Sequence, residues 1–379
     1  MRDARDYPGY WREPGSPVKM GGGMYRGRFP APGGARRLLG LALLATCVAG
    51  AACSSSSTRK PRRPSPTVTS APPTSVTTPA AVYPLTGLPA DSPARAARPA
   101  LVVKVENEAP ARPQSGLQAA DVVYEEIIEG GDTRFAALFQ SSDADPVGPL
   151  RSVRPTDPFI VGPLGAGLFA YSGGTAKFIN LLHATSMTDV GQSAQPGAYF
   201  RRSGKPAPHN LFSSTARLYG VAGAAGKPPP PLFPFLAPGQ PFAPAGARPA
   251  THVETVVGTQ HVFYDWDPTA GWRRAINGQP QVVEGGGQLV ATNVVVQLVS
   301  WVPSPGDFDT LHSPVFVAQL VGSGDAWVLA GGQAVLGHWS KASPAAPTVY
   351  TGPDGQPIRF VPGRTWIELT QAGATAIVR

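Results

Sequence analysis

Two arginines stand three residues apart in the stretch GPLRSVRP, residues 148–155, of a chain that is poor in charged residues. A guanidinium group stays charged at physiological pH and can bind a carboxylate or phosphate through two parallel hydrogen bonds. Side chains three positions apart on an extended segment point to opposite faces, but a turn bounded by prolines can direct both to one side. Arg151 and Arg154 therefore predict either an anion-binding site or an ion-pair network.

Further charged and polar residues could join these arginines in a mixed-charge cleft. Arg134 follows the turn EGGD (129–132), and a strand beginning there would lead back towards residue 148. The neighbouring acidic residues, which include Asp132 and Glu126, either neutralise the arginines in a structural network or leave them free for a ligand. We expect ligand contact for Arg154 and a structural network for Arg134. The candidate ligand-binding residues are Arg134, Arg151, Arg154, Asp132, Glu126, His209 and Asn210.

Other patterns that carry chemistry are weak in this sequence. The stretch SGGT (172–175) follows a strand and opens a helix, so it is either an anion-binding helix end or a glycine-permitted turn. Ser172 does not stand in a G-x-S-x-G elbow, which argues against a hydrolase nucleophile. The six histidines are dispersed without metal-ligand spacing. We therefore predict no metal site and no cofactor.

The charge of the chain is unevenly distributed. The formal net charge is +8, but residues 1–63 hold 12 Lys/Arg and 3 Asp/Glu, a net +9. The remaining residues carry a net −1. The basic character therefore belongs to the amino-terminal end, and no nucleic-acid partner is expected.

The first 53 residues have the pattern of a secretion signal. Arg36 and Arg37 precede the apolar run LLGLALLATCVAGAAC, which is too short for a comfortable membrane span of about 20 residues. Residues 54–82 are rich in Ser, Thr and Pro, and we expect a disordered tether there, because such a tract buries too little apolar surface to offset its ordering entropy.

The end of the apolar run resembles a bacterial lipobox, in which the cysteine is acylated. Ala51 and Ala52 precede Cys53, and serines follow, although Gly50 stands where an aliphatic residue is usual. The resemblance implies a lipid on Cys53 that anchors the protein to the extracytoplasmic face of the cell membrane. Simple secretion is the alternative.

The patterns of apolar residues predict an α+β fold. Residues 83–226 show a mixed α/β pattern, residues 227–250 form a Pro-rich connection, and residues 251–379 show short strands and turns typical of a mainly antiparallel sheet. Predicted helix caps are Ser115, Thr175 and either Ser213 or Ser214. Whether residues 251–379 form a separate domain or complete one sheet stays open.

Several motifs, in order along residues 83–379, resemble the YerB-like lipoproteins, a bacterial family described as a domain of unknown function. They are PLTGL (84–88), RPQSGLQAADVVYE (112–125), EGGDTRFAALFQ (129–140), GPLRSVRP (148–155), PHNLF (208–212) and PGRTWIEL (362–369). The resemblance implies a lipoprotein of the cell envelope with an α+β body, and it brings no established reaction. We therefore expect a non-enzymatic binding protein for an anionic envelope component or a partner protein.

The order strand, Asp-Thr-Arg, strand, arginine motif also resembles the LytR-CpsA-Psr envelope phosphotransferases. Those proteins hold a polyprenyl pyrophosphate with arginines and acids, which implies a phosphotransferase using the 132–154 cluster as the alternative function. The sequence departs from their Arg-Asp pair, because Arg154 is followed by Pro155.

Overall fold

The computed structural model describes residues 81–309, 311–374 and 376–379. The predicted secretion signal, Cys53 and the tether as far as residue 80 lie outside the described residues. Among the helices that are described, none has the length and apolar character needed to cross a membrane.

The elements are short and numerous. The α-helices are α1 (Pro93–Ala97), α2 (Asp157–Val161), α3 (Ala176–His183) and α4 (Thr215–Ala222). Single 3₁₀ turns cover Ala109–Ala111, Leu117–Ala119, Glu129–Gly131, Gly162–Leu164 and Pro196–Ala198. The strands are β1 (Leu101–Glu106), β2 (Val122–Ile127), β3 (Thr133–Phe139), β4 (Leu168–Ala170), β5 (Thr188–Asp189), β6 (Phe200–Arg201), β7 (Leu211–Phe212), β8 (Arg248–Pro249), β9 (His252–Val257), β10 (Gln260–Asp267), β11 (Gly271–Ile276), β12 (Gln279–Pro280), β13 (Val290–Ala291), β14 (Asn293–Val299), β15 (Trp301–Phe308), β16 (Pro314–Ala318), β17 (Gly322–Ala330), β18 (Gln333–Lys341), β19 (Val349–Thr351), β20 (Thr365–Gln371) and β21 (Ile377–Val378).

Strands from both parts of the chain form one large sheet. Its order is β19-β18-β17-β14-β20-β2-β3-β1-β4-β5, with β8 paired to β18. β20 lies inside this sheet and runs parallel to both neighbours, so that Thr365 pairs with Asn293 on one side and with Val122 on the other. Five strands from residues 251–379 thus complete a sheet that begins in the amino-terminal part.

Six other strands of the second part form a smaller sheet that packs on the large one, while β15 and β16 pair as a separate hairpin. Its order is β12-β11-β10-β9-β21, with β13 paired to β11. The described α-helices all end before residue 223, and most strand pairs are antiparallel. This architecture agrees with the α+β class predicted from the sequence.

Both faces of the sheet are buried at its strands β1, β2 and β3, in which every residue is buried. Successive side chains of a strand point to opposite faces. In β1, Leu101 and Val103 pack in the core shared with Tyr264 and Trp272 of the small sheet. Val102 points the other way and packs in the core that includes α2 and α3. We call these the small-sheet face and the helical face.

The predicted turn and two of the predicted caps are present. Gly130 and Gly131 in the EGGD turn have φ of +70° and +84°, a region that glycine enters without steric cost. Thr175 Oγ1 accepts a 3.3 Å hydrogen bond from Phe178 N at the start of α3. Ser214 Oγ caps α4 in the same way.

The predicted cap at Ser115 is wrong. The short helix there is a 3₁₀ turn over Leu117–Ala119 preceded by Gly116 with φ of +84°, and no side chain caps it. The Ser115 hydroxyl instead donates a 2.5 Å hydrogen bond to Glu284. A distant carboxylate therefore binds the hydroxyl that local sequence assigned to the helix end.

Candidate functional site

A cleft of about 630 Å³ opens on the helical face, beside the EGGD turn at the start of β3. The start of α3 and the hairpin β15–β16 border it. Its lining residues are Glu108, Ile128, Glu129, Gly130, Asp132, Arg134, Arg151, Ser152, Arg154, Gly174, Thr175, Phe178, Phe308, Asp309, Leu311, Ser313 and Val315. All three predicted arginines thus line one cavity, together with the predicted Asp132.

Arg134 is the most deeply placed of the three arginines. It pairs in register with Glu106 of β1 and Glu126 of β2, and it is only 3% exposed. Its Nη2 lies 3.7 Å from a Glu108 oxygen, too far for a hydrogen bond. Its Nε and Nη1 are buried without a hydrogen-bond partner among the described residues. The charge of Arg134 is therefore only partly compensated.

The turn that carries Arg151 and Arg154 is fixed by backbone hydrogen bonds. Arg151 N donates to Lys104 O (3.0 Å), and Val153 N donates to Gly173 O (2.9 Å). Arg154 N donates to the Asp157 carboxylate (2.6 Å). Both arginines line the same cleft, as a proline-bounded turn permits.

Arg151 and Arg154 differ from Arg134 in having close carboxylate partners. Arg154 donates from Nη2 and Nε to one Glu129 oxygen, at 2.6 and 3.1 Å. Arg151 Nε lies 3.1 Å from Glu106. Arg154 therefore takes part in a hydrogen-bonded ion pair, whereas Arg134 has fewer close partners than Arg151 or Arg154. Which of these arginines contacts a ligand stays a prediction.

The pKa shifts agree with this distribution of charge. Burial, and then the like charges of Arg154 and Arg151, lower the pKa of Arg134 to about 9. Burial raises the pKa of the Glu106 carboxyl, while Arg151 acts against that shift. Burial and then Glu108 raise the pKa of Asp132. Arg134 stays protonated at neutral pH, so the empty cleft carries a desolvated positive charge.

Glu126 does not line the cleft. Its carboxylate is fully buried beneath it and pairs with Lys104, whose Nζ also donates to Asp157 (2.8 Å). Asp157 in turn binds the backbone of Arg154. Glu126 and Asp157 therefore support the arginine turn, because Lys104 of β1, across β3 from Glu126, binds both carboxylates outside the cleft lining.

His209 and Asn210 also lie outside the lining. His209 Nδ1 is 2.8 Å from Glu106, behind Arg151. Asn210 Oδ1 accepts a hydrogen bond from Arg201 Nη1 (2.6 Å). The ligand atoms of Glu106, Glu108 and His209 lie within 4.8 Å of one another, and this group could hold a divalent cation. The dispersed histidines in the sequence gave no sign of it.

Several lining residues were not among the sequence candidates. Gly174 and Thr175 belong to the stretch SGGT, for which the sequence predicts either an anion-binding helix end or a glycine-permitted turn. Their position brings the positive end of α3 to the cleft. Phe308 and Leu311 come from the hairpin β15–β16, more than 150 positions after the arginines. No local signal in the sequence could have placed that hairpin beside Arg154.

Comparison with known proteins places the chain in a family. Residues 85–227 match the family described as "Protein of unknown function (DUF3048) N-terminal domain". Residues 253–367 match its C-terminal domain. The chain belongs to the DUF3048 family. The arginines of the cleft lie in the first DUF3048 domain and the hairpin in the second.

A curated relative and a solved structure agree with the family assignment. The chain is 30% identical over 301 residues to "Putative lipoprotein YerB" of Bacillus subtilis (strain 168), covering 76% of this chain and 85% of the relative. The crystal structure of the YerB protein from Bacillus subtilis superimposes with a TM-score of 0.66 at 24% identity, covering 78% of this chain and 99% of that one. The YerB-like resemblance seen in the sequence motifs is confirmed.

Proposed function

We propose that the protein is a lipid-anchored, extracytoplasmic, non-enzymatic binding protein whose arginine cleft takes up an anionic component of the cell envelope. The observation that carries the proposal is Arg134, a guanidinium that is 3% exposed and has two nitrogens without hydrogen-bond partners in the part of the chain that the structure describes. An anionic ligand would satisfy those donors and offset the desolvated charge.

The neighbouring groups favour an anion at the same place. Arg151 and Arg154 add two further guanidinium groups, and Gly174 and Thr175 bring the start of α3 to the cavity. Glu129 pairs with Arg154 through one oxygen and offsets the charge of Arg134 only in part. A phosphate or carboxylate is the anion whose geometry matches guanidinium donors.

Phosphate binding should raise the thermal midpoint of the wild-type protein. Arg134→Gln should weaken that binding roughly tenfold or more, because a charged hydrogen bond contributes about 1.5–3 kcal/mol. Inorganic phosphate and pyrophosphate are the probes, measured by thermal shift and calorimetry. Arg217→Gln, on the exposed side of α4, is the matched control.

Stability without ligand provides the second readout of this experiment. Arg134→Gln should leave the midpoint equal or slightly higher, while Arg154→Gln should destabilise by about 1–3 kcal/mol because Glu129 loses its partner. A wild-type midpoint that neither phosphate shifts, with clear destabilisation by Arg134→Gln, would show that the arginines form a structural network only.

Membrane anchoring is supported by the relative named as a lipoprotein and by Ala51-Ala52-Cys53. Cys53→Ala should remove the acylated residue and release the protein from membranes into the medium. Cell fractionation with an antibody to the body measures this. Equal membrane retention of the variant and the wild type would contradict acylation at Cys53.

A phosphotransferase acting on envelope polymers is the second candidate. The observation that favours it is the group of Glu106, Glu108 and His209 beside Arg151, since phosphoryl chemistry commonly uses a bound divalent cation. Incubation with Mg²⁺ and a pyrophosphate-linked polymer precursor separates the two functions. A binding protein leaves the precursor intact, whereas a transferase consumes it and loses activity in Glu106→Gln.

A further inference from the structure

The cleft combines two chemistries that a simple anion site does not need. Its floor carries the three arginines, while its outer wall, on the hairpin β15–β16, presents Phe308 and Leu311. We infer that the ligand is amphiphilic: a lipid with a phosphate headgroup, held at the arginines, whose hydrocarbon chain leaves along the hairpin. This inference rests on the proposed function and specifies the ligand class of the same site.

The apolar wall differs from ordinary surface hydrophobicity. Leu311 is 83% exposed and Phe308 58%, the two highest values among the exposed large hydrophobic side chains of the described residues. Both border the same cavity as the arginines. Scattered single apolar residues are normal on a protein surface, but adjacent ones at a cleft mark a contact site.

Hydrogen bonds and an ion pair fix the hairpin segment that carries these exposed side chains. Asp309 Oδ1 accepts hydrogen bonds from Leu311 N (2.8 Å) and Ser313 N (2.7 Å), which closes the turn. Lys177 of α3 binds Asp307 (2.6 Å) and ties the hairpin to the helix on the other side of the cleft. Phe308 and Leu311 are thus exposed on a hydrogen-bonded turn.

The apolar surface continues from the tip into the cavity. Val315, Phe178 and Ile128 line the cleft and are buried beneath the hairpin and α3. A cleft of about 630 Å³ is of the size that takes drug-sized ligands, and a phosphate ion would fill only a small part of it. A headgroup with a hydrocarbon chain uses both the charged floor and the apolar wall.

Binding of alkyl phosphates to the full chain tests the inference. Calorimetry with methyl, butyl and octyl phosphate, all below the concentration at which micelles form, should show affinity rising with chain length. Because each buried methylene contributes to binding, octyl phosphate should bind roughly tenfold or more tightly than butyl phosphate.

Variants test whether Phe308 and Leu311 cause the rise of affinity with alkyl chain length. Phe308→Ser with Leu311→Ser should reduce octyl phosphate affinity to near that of methyl phosphate while inorganic phosphate affinity stays unchanged. Leu336→Ser with Val349→Ser removes two exposed apolar side chains outside the cleft and should change neither. Arg134→Gln should weaken all the phosphates together.

The possible failures are distinguishable. Phosphate binding that is independent of chain length overturns the lipid inference and leaves the proposed function intact. A chain-length effect that persists in the Phe308/Leu311 double variant also overturns it. Binding to vesicles containing phosphatidic acid, with no binding of soluble alkyl phosphates, would indicate adsorption to a charged surface and not a cleft ligand. Absence of all phosphate binding would contradict the proposed function itself.

Discussion

Glu125 and Glu126 are neighbours in the sequence, but their side chains belong to different networks. Strand alternation sends Glu125 to the small-sheet face, where it pairs with Arg274, and Glu126 to the helical face, where it pairs with Lys104. One carboxylate therefore joins the two sheets, and the other supports the arginine turn. At the residue scale, a register shift by one position would exchange these roles.

The burial of Glu126 makes the stability of the protein depend on pH. Burial, with Asp157 close by, raises the pKa of Glu126 from the ordinary 4.5 to about 7. Between these values the folded protein binds more protons than the unfolded chain, so the free energy of unfolding should fall as pH rises from about 4.5 to 7, by at most about 3 kcal/mol.

Glu126→Gln should flatten this pH dependence, because glutamine keeps the shape of the side chain without titrating. Urea denaturation at several pH values measures the slope in the wild type and in the variant. Glu254→Gln, on the small sheet, controls for the loss of one carboxylate elsewhere. Equal slopes in wild type and Glu126→Gln would contradict the assignment.

At the scale of elements, a buried charge network joins β2, β11 and β20. Arg274 pairs with Glu125 and lies 3.5 Å from Glu368, and Tyr264 donates a 2.5 Å hydrogen bond to Glu368. Arg274 is also 4.9 Å from the ring centre of Trp366. Burial, and then the like charge of Glu125, raise the pKa of Glu368, while Arg274 acts against that shift. The network ties the small sheet to the centre of the large one.

Arg274→Met should destabilise the protein by about 3–5 kcal/mol, because it leaves Glu125 and Glu368 buried without their counter-charge. Urea denaturation measures the loss. Arg273→Met, on the same strand but with a half-exposed side chain, is the matched control and should cost less than about 1 kcal/mol.

A second comparison tests the reason for that loss. Adding Glu125→Gln and Glu368→Gln to Arg274→Met removes the uncompensated charges and should recover a large part of the stability. If the triple variant is no more stable than Arg274→Met alone, then packing around the guanidinium, and not charge, holds the sheets together.

At the scale of the whole molecule, local sequence patterns predicted which segments form strands and turns better than they predicted which strands pair with one another. The strands β1, β2 and β3 and the EGGD turn follow from apolar runs and glycines within a few residues of one another. The position of β20 between β14 and β2 does not follow from any such pattern, because pairing between distant segments leaves no local signal in the sequence. For the same reason the sequence indicated the arginines of the cleft but not Phe308 or Leu311.

The mixed sheet predicts that neither part of the chain folds alone. A fragment ending at residue 250 lacks the strand that pairs with Val122–Glu125 and should show no cooperative thermal transition by circular dichroism. Mixing it with a fragment of residues 251–379 should restore the transition. A cooperative transition in the first fragment by itself would show that β20 is dispensable there.

The position of β20 also sets the order of events when the chain is made. Synthesis proceeds from the amino terminus, so β1, β2 and β3 emerge long before residues 365–371 are available. During that interval the edge of β2 that β20 later covers is open, and open strand edges can pair with other chains and aggregate. We therefore expect the unfinished chain to need chaperones that shield this edge until β20 pairs with it.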